Sequence, residues 1–213
     1  MRSRLSLILF FAALTVILAI LFTYHCPASG LGLSKGRRDF YRLKNRRFLP
    51  QPSDFDGRVT LQQLLQPGAD QSRWSTSRAG QIEAYVVSVT PGPLELVNCY
   101  CRRDTHIHVA LRPQASAREM IVLEVTPYFR DLMAHGSEDK IGPASPDQAL
   151  LLHDWSTEIL QKKLTGHWVR FEGWLFYDAQ HESEAENTAP GRINNWRATA
   201  WELHPVTRIE VIK

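Results

Sequence analysis

The stretch Asn195-Trp196-Arg197-Ala198-Thr199-Ala200-Trp201-Glu202-Leu203-His204-Pro205-Val206-Thr207 decides the fold. Two tryptophans, an arginine, a glutamate and a histidine crowd one predicted β-strand, Asn195–His204. Pro205 bends it into a second, Thr207–Ile212. About a hundred residues earlier, Asp104-Thr105-His106-Ile107-His108-Val109-Ala110-Leu111 alternates with period two. That alternation sets Thr105, Ile107, Val109 and Leu111 on one face and His106 and His108 on the other. Two such strands suggest a small β-barrel that carries a polar site.

The segments between them fit that plan. Gln81–Thr90 is rich in β-branched and aromatic residues and stops at Pro91-Gly92-Pro93, a turn signal. Leu94–Cys101, Glu119–Thr126 and Gly166–Tyr177 are further predicted strands, the last with an apolar row of Val169, Phe171 and Leu175. Thr60 is placed to cap a short helix whose apolar face is Leu61, Leu64 and Leu65. A polar loop holding Gly136, Gly142, Pro143 and Pro146 leads to one helix around Trp155–Leu164. The predicted fold class is mainly β: a small OB-like barrel with one inserted helix, preceded by an N-terminal transmembrane helix.

The front of the chain carries the membrane reading. Leu5 to Thr23 is an uncharged apolar run, and at 1.5 Å per residue it spans about 28 Å, close to the thickness of a bilayer core. It is longer than a secretory apolar region, which favours an uncleaved anchor over residues 1–24. Seven basic residues (Lys35, Arg37, Arg38, Arg42, Lys44, Arg46 and Arg47) come after it, against the single acid Asp39. Pro50, Pro52 and Gly57 then mark a turn-rich stretch. Residues 25–57 therefore read as a basic, then Pro-rich linker, and 58–213 as the barrel domain. Counted literally, the positive charges place that domain in the cytoplasm. A single span behind a short basic head usually exports the domain attached to it, so the outer side of the membrane is the expectation. With 213 residues and a formal net charge of +3 concentrated near the front, the chain is globular and gives no charge-based argument for nucleic acid.

Several polar groups stand where chemistry could occur. Glu202 and His204 repeat the i, i+2 spacing of His106 and His108. Register permitting, the two pairs would form a His/carboxylate site for zinc or another divalent metal. The alternative is that all four are solvated positions on an outer face. Glu124 interrupts the apolar run Ile121-Val122-Leu123-Glu124-Val125 and needs solvent or a partner, for which Arg197 is available. Asp178 and His181 directly follow a strand, where sites are commonly built. Cys99 and Cys101 read first as small buried thiols, second as metal ligands, and either could pair with Cys26 in an exported chain. Nucleophile-elbow, P-loop and dinucleotide-binding motifs, and the H-E-x-x-H zinc motif, are absent from the sequence.

Gly173-Trp174-Leu175-Phe176-Tyr177-Asp178-Ala179-Gln180-His181, Asn187-Thr188-Ala189-Pro190-Gly191 and the C-terminal W-R-x-T-x-W-E-[IL]-H-P-V-T pattern from Trp196 to Thr207 together resemble a family of uncharacterised bacterial proteins. These are exported or membrane-anchored, and their domain is similar to an OB-type barrel. The likeness extends back through Asp104-Thr105-His106-Ile107 and Glu124-Val125-Thr126-Pro127, and so covers about residues 58–213. It implies a fold, a location on the periplasmic side of a bacterial inner membrane, and no activity. It does not extend to His108 or Cys101, which leaves Asp104, His106, Glu124, Asp178, His181, Arg197, Glu202 and His204 as the candidate polar site. The metal ligands among them would be His106, His181 and His204.

The functional expectation is a membrane-anchored binding domain: a lipid bilayer around residues 5–23, and a small ligand or protein partner on the barrel. Its rival is a metal-dependent hydrolase with phosphodiesters as its substrate class, using Asp104, His106, His181 and His204 as ligands and Glu124 or Glu202 as general base. A third reading is an assembly factor whose helix tethers an interaction surface.

Overall fold

The computed structural model describes residues 2–24, 26–68, 70–135 and 154–212. The predicted loop around Gly136, Gly142, Pro143 and Pro146 lies outside the described residues. Five strands build the core: β1 (Ala79–Pro91), β2 (Thr105–Ala110), β3 (Ile121–Val125), β4 (Trp168–Tyr177) and β5 (Trp201–Val211). They close into a barrel in the order β1-β2-β3-β5-β4, with β4 returning to β1. β3 and β5 run parallel through Leu123↔Leu203, and the other neighbours are antiparallel. This is consistent with an OB-like domain.

The alternation read from the sequence sets the interior. Ile107 and Val109 of β2, Ile121, Leu123 and Val125 of β3, Val169, Phe171 and Leu175 of β4, and Trp201, Leu203 and Ile209 of β5 fill the barrel. β4 and β5 stay paired across a register shift at Gly173. A side chain there would meet the Pro205 carbonyl oxygen at 2.7 Å, so the close approach of the two backbones requires glycine. The peptide bond before Pro205 is cis.

Helices plug the barrel and cover its flanks. α3 (Leu61–Leu64) forms where predicted, with the Thr60 hydroxyl accepting from the Gln63 amide and Leu61 and Leu64 buried. Among the described residues two helices, rather than one, lie between β3 and β4: α4 (Pro127–His135) and α5 (Thr157–Leu164). α4 escaped the sequence reading because Pro127 looked like a strand terminator. Proline is equally at home in the first turn of a helix, where its missing N–H costs nothing. The predicted strand Leu94–Cys101 is instead a 3-10 turn, Leu96–Asn98, followed by Cys99 and Tyr100 in the left-handed region. The predicted strand Asn195–His204 joins the barrel sheet only from Trp201 onward, with Arg197 making an isolated bridge to Ala185. Residues 195–200 fold back over the barrel, held by Glu186 N–H to the Arg197 carbonyl and Ala198 N–H to the Met120 carbonyl.

At the front, α1 (Arg2–Tyr24) covers the apolar run. Among the described residues no helix is long and apolar enough to cross a membrane, so the span read from the sequence has no support from the fold. Within the segment read as basic linker, residues 35–44 form α2 (Lys35–Lys44), capped by Ser34. From Phe40 to Phe48 the chain lies on the outside of β4 as a strap. Phe40 packs on Phe176 (5.0 Å between ring centroids), the Arg46 guanidinium lies 4.6 Å from the Trp174 ring centre, and the Trp174 indole donates to the Phe48 carbonyl at 3.0 Å. Trp174 and Phe176 point outward and are nevertheless buried, because the strap covers them. Cys26 and Cys99 form a disulfide, replacing the thiol and metal readings of Cys99. Cys101 stays a thiol beside the Asn98 carbonyl.

Candidate functional site

Strand register brings the polar residues together. His106 sits directly opposite Glu124 in the β2–β3 pair. In the parallel β3–β5 pair, Leu123 faces Leu203. The outward neighbours of that apolar pair are Glu124 on one strand and Glu202 and His204 on the other. A row of polar side chains thus crosses the outer face of β2, β3 and β5, the face on which OB barrels generally take ligands.

Here that face is covered. The loop before β2 contributes Asp104, the loop between β4 and β5 contributes Asp178 and Arg197, and the strap contributes Lys44. All four side chains are buried, as are Glu124, Glu202 and His204. The His204 Nδ1 lies 3.2 Å from Glu202 and 3.3 Å from Glu124. Arg197 donates to Glu202 at 2.7 Å and to the Thr199 carbonyl at 2.7 Å. The Lys44 ammonium donates to Asp178 at 3.2 Å and stands 3.9 Å from Glu95. The His106 Nε2 is 3.5 Å from Glu124. Gly92 closes over that imidazole so tightly that a Cβ would stand 2.6 Å from Nε2.

Charge within this cluster is strongly coupled. Burial pushes the Glu124 carboxyl up to about 8, and Glu202 adds to the effect, while His204 and Lys44 oppose it. Glu202 is buried too, yet Arg197, His204 and Lys44 hold it well below the usual carboxylate range. Burial works against charge on His204, but Glu124 and Glu202 raise its pKa. Lys44 stays charged despite complete burial because Glu124, Asp178, Glu202 and Glu95 surround it. Burial lowers His106, and it drives His108 down to about 4, helped by His106 and Arg197.

Asp104, Glu124, Glu202 and His204 therefore converge, with His106 at the edge. Arg197 joins them as the partner of Glu202, not of Glu124 as the sequence suggested. Asp178 lies on the Lys44 side of the same cluster. His181 stands apart: its Nδ1 pairs with Glu184 at 2.8 Å and its ring meets Trp196 edge-on. It is excluded from the set of groups that could hold a metal, which among the described residues is Asp104, Glu124 and His204, each offering an atom within 4.8 Å of the others.

Sequence reasoning missed Lys44, hidden among seven basic residues of a presumed linker. It also missed Asp70, a buried carboxylate that accepts from the Thr199 hydroxyl and the Ala200 amide, while its backbone carbonyl accepts from the Trp201 indole. Neither position is marked by any periodicity.

No family model, curated protein or solved structure matches this chain. The resemblance to a bacterial family read from the quoted motifs therefore finds no support in these comparisons. In the structure those motifs are the residues that assemble the covered face: Asp178 and the 178–200 loop, then Arg197, Glu202 and His204.

Proposed function

We propose that this chain is a membrane-tethered binding domain. Residues 5–23 lie in the lipid bilayer, and the barrel stands on the outer, periplasmic side of a bacterial inner membrane. The observation that carries this reading is the Cys26–Cys99 disulfide, which begins two positions after the last residue of α1. Disulfides persist in exported chains and are rare in the cytosol. The exposed Lys35, Arg37 and Arg42 of α2 suit the anionic headgroups beside such an anchor.

A small ligand or protein partner would meet the half-buried strip of rings on the outer face: His106, His108, Trp196 and His181, in successive contact at 6.5, 6.0 and 5.4 Å between centroids. The rival reading, a metal-dependent hydrolase, has the convergence of Asp104, Glu124 and His204 in its favour. Against it, all three are buried beneath the strap and loops, so a phosphodiester would have to displace that cover to reach them.

The test is fractionation of cells making the full chain, with thiol alkylation before and after reduction. The expected result is a membrane-bound chain with one reactive thiol, rising to three on reduction. A soluble chain with three reactive thiols in the native state would contradict the proposal.

A further inference from the structure

Four side chains meeting on the outer face of β2, β3 and β5 share an unusual property. Asp104 Oδ1, Glu124 Oε2, His204 Nε2 and His106 Nε2 are buried atoms that make no hydrogen bond among the described residues, Glu124 Oε2 having only its 3.3 Å contact with His204 Nδ1 and His106 Nε2 its 3.5 Å contact with Glu124 Oε1. Leaving a buried polar atom without a partner costs about 1–3 kcal/mol, and more if the group is charged. Four such atoms at one place call for something that accepts them all.

Their other atoms are fixed in the manner of metal ligands. Asn98 donates to Asp104 Oδ2 at 2.8 Å, which leaves Oδ1 aimed elsewhere. Glu202 holds His204 Nδ1 at 3.2 Å and is itself held by Arg197, so Nε2 carries the free lone pair when Nδ1 keeps its proton. A carboxylate behind a histidine is the usual support for a ligating imidazole, because it fixes the tautomer and the ring orientation. Gly92 presses on the His106 ring from the loop before β2.

The geometry points to a closed divalent-metal centre in which Asp104, Glu124 and His204 are the ligands, with His106 beside Glu124 at its edge. Mixed imidazole and carboxylate donors suit a first-row ion such as Zn²⁺ better than Ca²⁺ or Mg²⁺, which take oxygen alone. Donor atoms about 2.1 Å from a tetrahedral ion stand roughly 3.4 Å apart. The Asp104, Glu124 and His204 donor atoms lie within 4.8 Å of one another, so side-chain adjustments of about an ångström bring them to that spacing. Burial on every side makes the centre structural: it ties the loop before β2 to β3 and β5. This inference stands independently of the membrane reading, since it needs only the folded barrel and its strap.

The experiment is elemental analysis of the full chain, purified without a histidine tag or chelator, followed by Co²⁺ loading of the stripped protein. About one equivalent of a first-row metal is expected, with the visible absorption of four- or five-coordinate Co²⁺ after exchange. Asp104→Asn and Glu124→Gln should each lose most of the metal, whereas His181→Ala should keep it. Should either variant fail to fold, the Co²⁺ spectrum of the unmutated protein still decides. A folded full chain that neither carries metal nor gives a Co²⁺ spectrum overturns the inference, as does metal retained undiminished in folded Asp104→Asn.

Discussion

At the scale of the residue, the controlling feature is that opposite charges are buried in pairs. Lys44 and Asp178 are both inaccessible and 3.2 Å apart, 134 positions apart in sequence. Removing one member leaves the other charged in a low-dielectric site, which typically costs about 3–5 kcal/mol. Lys44→Met is therefore expected to lower the unfolding free energy by about that much in urea titration, and Lys44→Met/Asp178→Leu to recover most of the loss. His108 gives a pH signature. Its pKa is depressed in the fold to about 4, against 6.5 for a free histidine, so between those values the unfolded chain binds the extra proton. Stability attributable to His108 is thus fully present above about pH 6.5 and lost as pH falls toward 4. In metal-stripped protein, His108→Gln should flatten the stability profile in that window, as read by denaturant midpoints at each pH. The residues of this cluster were legible in the sequence where they sat on strands. His106, Glu124, Glu202 and His204 alternate with core residues, and alternation tells which side chains share a face. It does not tell which loop covers that face, so Lys44 and Asp70 were invisible and Arg197 was assigned to the wrong glutamate.

At the scale of the element, the barrel strands were legible because period-two burial is written into β2 and the first half of β4, and because β3, buried throughout, is an apolar run broken only by Glu124. Misreadings fell where local composition and tertiary position disagree. Leu94–Cys101 has strand-like residues but turns at Asn98, whose side chain serves Asp104 and whose neighbour Cys99 is held by Cys26. Residues 195–200 have strand composition but spend their hydrogen bonds on the 184–187 segment and Met120. The β4–β5 pairing supplies its own test. Gly173→Ala would place a Cβ 2.7 Å from the Pro205 carbonyl oxygen and 3.1 Å from Leu203 Cβ. Backbone cannot yield as a flexible side chain can, so a loss of about 1–3 kcal/mol is expected in thermal or urea unfolding, comparable with overpacking a core.

At the scale of the whole molecule, the N-terminal segment closes the cluster instead of merely leading to the domain. The Cys26–Cys99 bond spans 73 positions and anchors this segment beside the 3-10 turn, where Asn45 also donates to the Val97 carbonyl at 2.8 Å. Reduction, or Cys99→Ser, should lower stability by about 2–4 kcal/mol, seen as a shift of the urea midpoint between oxidised and reduced protein. The sequence reading treated residues 25–57 as linker because basic and proline-rich composition usually means solvated chain. Composition reports no long-range partner, and the contacts of Phe40, Arg46 and Phe48 with the buried rings of β4 are long-range. The central claim is that this strap is part of the fold and seals the charged face. Hydrogen exchange on the full chain tests it most directly, because amide protection reports local opening without altering a residue. The amides of Tyr41, Lys44 and Asn45 are expected to be protected to a degree comparable with β4 and β5. Exchange of those amides at the rate of an unstructured chain, with the barrel still protected, would contradict it.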